Sequence, residues 1–165
     1  MHRTRSTPRC WIGTTFALLA FTLSIPGYAK VLHEERSVYT RIIVEDERNL
    51  RCLKFTLVRE NSRQTCMDRN NPQRLVFDYA KMTLSALLLK PDPERILIIG
   101  LGGGTLPMAL RDILPSAVID TVEIDEAVVR VAKRFFDFAE DDQNRVYVQD
   151  ARVFGKRAAL RGEQY

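Results

Sequence analysis

The stretch Ile96-Leu97-Ile98-Ile99-Gly100-Leu101-Gly102-Gly103-Gly104-Thr105, with Val122-Glu123-Ile124-Asp125 about twenty residues on, decides the fold. Residues 96–99 are a short, wholly apolar run of β-type side chains. Such a run predicts a strand buried on both faces of a parallel sheet. The glycine turn joins it directly to a helix expected over residues 105–114. A second strand is expected over 117–122. The helix after it covers 126–136, with Val128, Val129, Ala132 and Phe136 facing the core. A third strand at 146–148 leads to a third helix at 151–160. Strands alternating with helices at this spacing predict a right-handed parallel α/β sheet.

The turn itself carries chemistry. Gly100, Gly102, Gly103 and Gly104 let the backbone adopt positive φ and approach a ligand without a Cβ in the way. The helix start beyond them offers free N–H groups and a partial positive charge. Taken alone, a glycine turn is equally a tight connection. Glu123 adds a second observation, because it interrupts an apolar strand and needs a partner where it sits. A carboxylate at that strand tip is placed to accept hydrogen bonds from both ribose hydroxyls of an adenosine. Asp125 lies two residues further on and reads either as a ligand contact or as a helix N-cap. The third strand ends in Gln149-Asp150-Ala151. Asp150 suits the exocyclic amine of adenine, with Ala151 leaving room for the ring, and an N-cap role for Asp150 stays open. All three places are carboxyl ends of adjacent parallel strands, where open α/β sheets bind ligands.

Upstream, residues 31–68 read as short strands. Residues 39–45 are β-branched and aromatic, a charged turn follows at 46–49, and 50–58 alternates apolar with polar. Residues 64–67 look like a return strand, and polar residues 68–72 break the pattern. A small antiparallel sheet or pair of hairpins is expected. Residues 75–89 are expected to form a helix, with Leu75, Val76, Tyr79, Met82, Ala86 and Leu89 as an apolar stripe and Pro91 and Pro93 beyond its end. The fold class is therefore α/β, with an N-terminal antiparallel β domain over 30–72 and a partial Rossmann-like sheet over 73–165.

The chain begins with Arg3, Arg5 and Arg9, then an uncharged apolar run over residues 11–25, then Pro26-Gly27-Tyr28-Ala29. This is the layout of a secretory signal peptide over residues 1–29, which predicts an exported protein. An uncleaved membrane anchor over 11–26 is the competing reading. Cleavage after Ala29 would lower the net charge from +4 to +1. The basic balance is thus mostly a targeting feature and gives no support to a nucleic-acid partner. Cys52 and Cys66 flank a turn-like stretch at 59–62. A cross-hairpin disulfide and two separate buried thiols are both compatible with that spacing. No metal-ligand spacing is present.

The run over 96–136, with Gly-Leu-Gly-Gly-Gly, Val-Glu-Ile-Asp and Val-Val-Arg-Val-Ala-Lys, resembles the spermidine synthase family of polyamine aminopropyltransferases. The resemblance is strong over 96–152 and weaker over 31–90. It implies a class I methyltransferase fold behind a small β domain. It also implies an S-adenosylmethionine or decarboxylated S-adenosylmethionine ligand, with a polyamine as the second substrate and no metal. Carried over by position, Glu123 holds the ribose, Asp150 and Ala151 face the adenine, and Gln64 reaches the ligand from the β domain. Tyr79 stands where the synthases have a histidine that contacts the polyamine, and Thr40 where they have a glutamine. The synthases have an aspartate at the position of Gly103, where it meets the cationic aminopropyl end of the donor. Their general base, an aspartate after a fourth strand, lies beyond Tyr165, so no catalytic residue is assigned here and a catalytically incomplete chain is expected. Without that fourth strand, the strand at 96–99 would be an apolar edge, for a second copy or another partner to cover. Two other classes are weighed against this one: an exported non-enzymatic binding protein on the same fold, and an S-adenosylmethionine-dependent methyltransferase. A nicotinamide-dependent oxidoreductase rests only on the general glycine-turn and acid pattern.

Overall fold

The computed structural model describes residues 29–56 and 62–165. The expected export segment lies outside the described residues, apart from Ala29, as does most of the turn at 59–62. Five antiparallel strands open the described chain: β1 (Lys30–Arg36), β2 (Arg41–Glu47), β3 (Leu50–Phe55), β4 (Ser62–Asp68) and β5 (Asn71–Leu75), paired in that order. Two short helical pieces follow, α1 (Asp78–Thr83) and a 3-10 stretch over Leu84–Leu88. The second unit is β6 (Arg95–Ile99), α2 (Thr105–Ile113), β7 (Val118–Glu123), α3 (Glu126–Phe135), β8 (Asn144–Val148) and α4 (Ala151–Leu160). Its three strands are parallel in the order β6-β7-β8, which leaves β6 at an edge.

Alternation explains the first sheet. Ile42 and Val44 on β2, Leu53 on β3 and Met67 on β4 point to one face and meet Ala127, Val128 and Val131 of α3 and Phe136 beyond it. That shared core fixes the antiparallel sheet against the parallel one. It therefore positions β4 beside the glycine turn. The opposite face carries Cys52 and Cys66, which stand opposite each other in the β3–β4 register and form a disulfide. Glu45 and Lys54 form a buried ion pair on the same face.

Two expectations between the sheets are corrected. Residues 68–72 do not simply break the pattern: β4 runs through Asp68, and a tight turn leads into β5, held by Asn70 N–H and Asn49 Nδ2 donating to Asp68 Oδ1. The helix expected over 75–89 begins only at Asp78, because Leu75 pairs with Met67 as the last residue of β5. Its α-helical part ends at Thr83, and its apolar stripe does not enter a core. Met82 is 71% and Leu89 92% exposed, and Leu88 is exposed beside them. With Ile99 at the open β6 edge, also exposed, they leave apolar surface in this region.

On the α4 face of the parallel sheet, Asp120 of β7 is fully buried. Its Oδ1 accepts from Arg145 Nε at 2.7 Å, and its Oδ2 accepts from Arg145 Nη2, Arg95 Nη2 and the Tyr165 hydroxyl, each at 2.9 Å. Burial, and then the Asp120 hydrogen bond, push the Tyr165 phenol well above its ordinary pKa. Losing one partner of a fully buried ion pair costs about 3–5 kcal/mol. Here both arginines are about a third exposed and can turn to water. Asp120→Asn is therefore expected to cost about 2 kcal/mol, read as a lower urea midpoint at unchanged slope.

Candidate functional site

The site grows from the carboxyl ends of the three parallel strands. Gly100 leaves β6 with φ of 91° while its N–H still donates to Val122 O at 2.8 Å, so the turn begins as an extension of the sheet. Gly102 and Gly104 also have positive φ, at 56° and 76°. A Cβ on Gly104 would stand 2.4 Å from Phe138 Cδ2, so an aromatic floor as well as the backbone demands glycine there. No side chain caps the N-terminus of α2, and no acid lies in its first turn. Its free N–H groups are thus left for another acceptor.

Glu123 ties the turn to the tip of β7. It is 8% exposed. Its Oε2 accepts from Leu101 N–H at 2.9 Å, and its Oε1 from Asp125 N–H at 3.0 Å. A carboxylate has about four lone-pair directions, so two remain for a ligand. Asp125 is the N-cap of α3: its Oδ1 accepts from Ala127 N–H at 2.9 Å, while its Oδ2 is buried with no hydrogen-bond partner.

Asp150 caps α4 in the same way, accepting from Arg152 N–H at 2.8 Å and pairing with the Arg152 side chain. The Arg152 guanidinium first, and then the backbone N–H, lower its pKa to about 2. It is therefore an anion throughout the working pH range, half-buried at the tip of β8 beside Ala151. Gln149 N–H donates to Glu123 O at 3.0 Å and joins this tip to the Glu123 corner.

The antiparallel sheet supplies the third side. Thr65 of β4 touches the glycine turn directly, its Oγ1 accepting from Gly103 N–H at 3.1 Å. Gln64 precedes it, half-buried, and Gln64 O accepts from the Tyr79 hydroxyl at 3.1 Å. Tyr79 itself is largely exposed on α1. The structure thus brings Gly100, Gly102, Gly103, Gly104, Glu123 and Asp125 into one corner. Asp150 and Ala151 stand at the neighbouring strand tip, and Gln64 and Tyr79 follow Thr65 along the side. Thr40 lies apart, just before β2, its N–H donating to Ser37 Oγ at 3.0 Å. Thr65 escaped the sequence reading. Nothing local marks a threonine in an alternating strand as the partner of a turn 38 residues away. Among the described residues there is no group of three or more side chains suited to a metal ion.

A three-stranded parallel sheet with a glycine turn and a strand-tip acid, fronted by an antiparallel β domain, defines an α/β protein of the class I methyltransferase type. No family model matches the chain. It is 46% identical over 154 residues to the polyamine aminopropyltransferase of Vibrio vulnificus, a match covering 91% of this chain and 51% of that protein. It is 33% identical over 107 residues to the eEF1A lysine and N-terminal methyltransferase of Xenopus laevis, covering 61% of this chain and 15% of that one. Its fold matches a spermidine synthase solved with the transition state analogue AdoDATO, at a TM-score of 0.56 and 20% identity, over 78% of this chain and 43% of that one. The chain is thus similar to the polyamine aminopropyltransferases, or spermidine synthases, and it spans about half the length of the curated aminopropyltransferase it matches.

Proposed function

We propose that this chain binds the adenosyl part of an S-adenosylmethionine-type donor, and that aminopropyl transfer to a polyamine is the reaction of the protein to which this fold segment contributes. The observation that carries the reading is Glu123. It is a buried carboxylate with one backbone N–H on each oxygen and a lone pair left on each for a ribose hydroxyl, and it adjoins a left-handed glycine turn. The analogue bound to the AdoDATO-complexed synthase supports an adenosyl ligand. Asp150 and Ala151 are assigned to the adenine, and Gln64 and Tyr79 to the side from which a second substrate enters. None of these residues is assigned as the base that deprotonates an attacking amine, so the role proposed for this chain is donor binding. Transfer of a methyl group is the second reading, supported by the methyltransferase relative.

The binding proposal predicts a measurable heat on titrating methylthioadenosine into the full chain, with Kd below about 1 mM. A folded sample giving no heat with any adenosyl compound would contradict it. Export through residues 1–29 is proposed alongside, and the Cys52–Cys66 bond supports it, since structural disulfides belong to oxidising compartments. A covering strand on the open β6 edge is proposed on the same physical ground as for any unpaired apolar edge.

A further inference from the structure

In a sheet of this kind the acid after the second strand takes the ribose, and the 5′ substituent lies against the glycine turn and the start of the following helix. Here that wall has no acid. Residues 100–104 are four glycines and a leucine, and the first turn of α2 carries no carboxylate. Gly102 and Gly103 are the positions from which side chains could reach out, and both directions are already filled. A Cβ on Gly102 would stand 2.5 Å from Thr65 Oγ1. A Cβ on Gly103 would stand 2.8 Å from Thr65 Cγ2 and 2.9 Å from Phe136 Cδ1. Thr65 is 5% exposed and Phe136 wholly buried, so neither is the loose end of a surface chain. Thr65 also holds the turn through its bond from Gly103 N–H.

We propose that Thr65 is a specificity-determining residue: by occupying the space beside Gly102 and Gly103 it makes the wall against the 5′ substituent neutral. The site then takes adenosyl ligands with a neutral or zwitterionic 5′ tail and gives no advantage to a tail that is a bare ammonium. Such a cation meets no carboxylate on this wall, and it faces the partially positive start of α2. The inference rests on the adenosyl reading above.

Three thioethers that differ only in the tail test it on the full chain: methylthioadenosine, S-adenosylhomocysteine and its decarboxylated aminopropyl counterpart. The aminopropyl compound is expected to bind no tighter than methylthioadenosine, and S-adenosylhomocysteine at least as tightly. Aminopropyl binding about tenfold tighter than methylthioadenosine overturns the proposal and leaves the adenosyl reading standing. Failure of all three to bind overturns both. The double variant Thr65→Ala with Gly103→Asp is expected to shift the ratio toward the aminopropyl compound by about tenfold or more. Thr65→Asp places a carboxylate on the same wall without altering Gly103, and the same shift is expected. An unchanged ratio in whichever variant folds and binds methylthioadenosine overturns the role of Thr65.

Discussion

Glu123→Ala is expected to abolish adenosyl binding and to lower the stability of the apoprotein in the same stroke. The binding loss follows from removing the acceptor for two ribose hydroxyls. Charge-assisted bonds of this kind contribute about 1.5–3 kcal/mol each, so affinity for methylthioadenosine should fall at least about a hundredfold. The stability loss has a separate cause. Leu101 N–H and Asp125 N–H both donate to Glu123 in a buried corner, and truncation leaves both without a partner. Each stranded donor costs about 1–3 kcal/mol, so the two together cost about 4 kcal/mol at the centre of that range. For a chain of this size that is a fall of about 10 °C in Tm. Glu123→Gln is the informative control. Its one carbonyl oxygen can keep one of the two backbone bonds, so it should lie between wild type and alanine in Tm while still binding poorly. Titration calorimetry and a thermal melt on the two variants separate the roles. A Glu123→Ala protein that melts like wild type would show that the corner is not held as described.

Opening the Cys52–Cys66 bond is the second large effect. The bond closes a loop with a sequence separation of 14, and loops of that size give about 3 kcal/mol of stabilisation in the chain-entropy account. Both sulfurs lie in buried positions, so the double change to alanine adds only a small packing loss. Denaturation of the oxidised protein, the reduced protein and the Cys52→Ala, Cys66→Ala protein should place the last two together, below the first. A reduced protein as stable as the oxidised one would sink the prediction.

The parallel half of the fold was legible because its signals are local. An apolar run, a glycine turn and an acid at a strand tip lie within thirty residues and act through nearest neighbours in the sheet. Alternation over residues 50–58 likewise points to the antiparallel sheet, in which β3 covers Leu50–Phe55. Leu75 was misplaced because Asn71-Pro72-Gln73-Arg74 has no strand composition, and its pairing with β4 is a tertiary fact. The apolar stripe expected over residues 75–89 does not become a core face, because nothing among the described residues covers Met82 or Leu89. In the site, Glu123 was found by asking why a charge interrupts an apolar strand. The same question asked of Asp120, three residues earlier, would have found the Arg95–Arg145–Tyr165 cluster. Asp125 and Asp150 each carried two readings, and the cap geometry is present at both without removing them from the strand tips. Thr65 could not be read, because its role exists only once the two sheets are docked.

Thr65 and Cys66 are chain neighbours, and because they sit in a strand they face opposite ways. The face that touches the glycine turn and the face that carries the cystine are therefore two sides of one short ribbon. Any ligand that tightens the seat of this strand against the turn makes the disulfide harder to reduce. By reciprocity, oxidation strengthens the grip on that ligand by the same free energy. Such a linkage would run through a single peptide unit, and its expected sign is a ligand affinity that differs between the oxidised and the reduced protein.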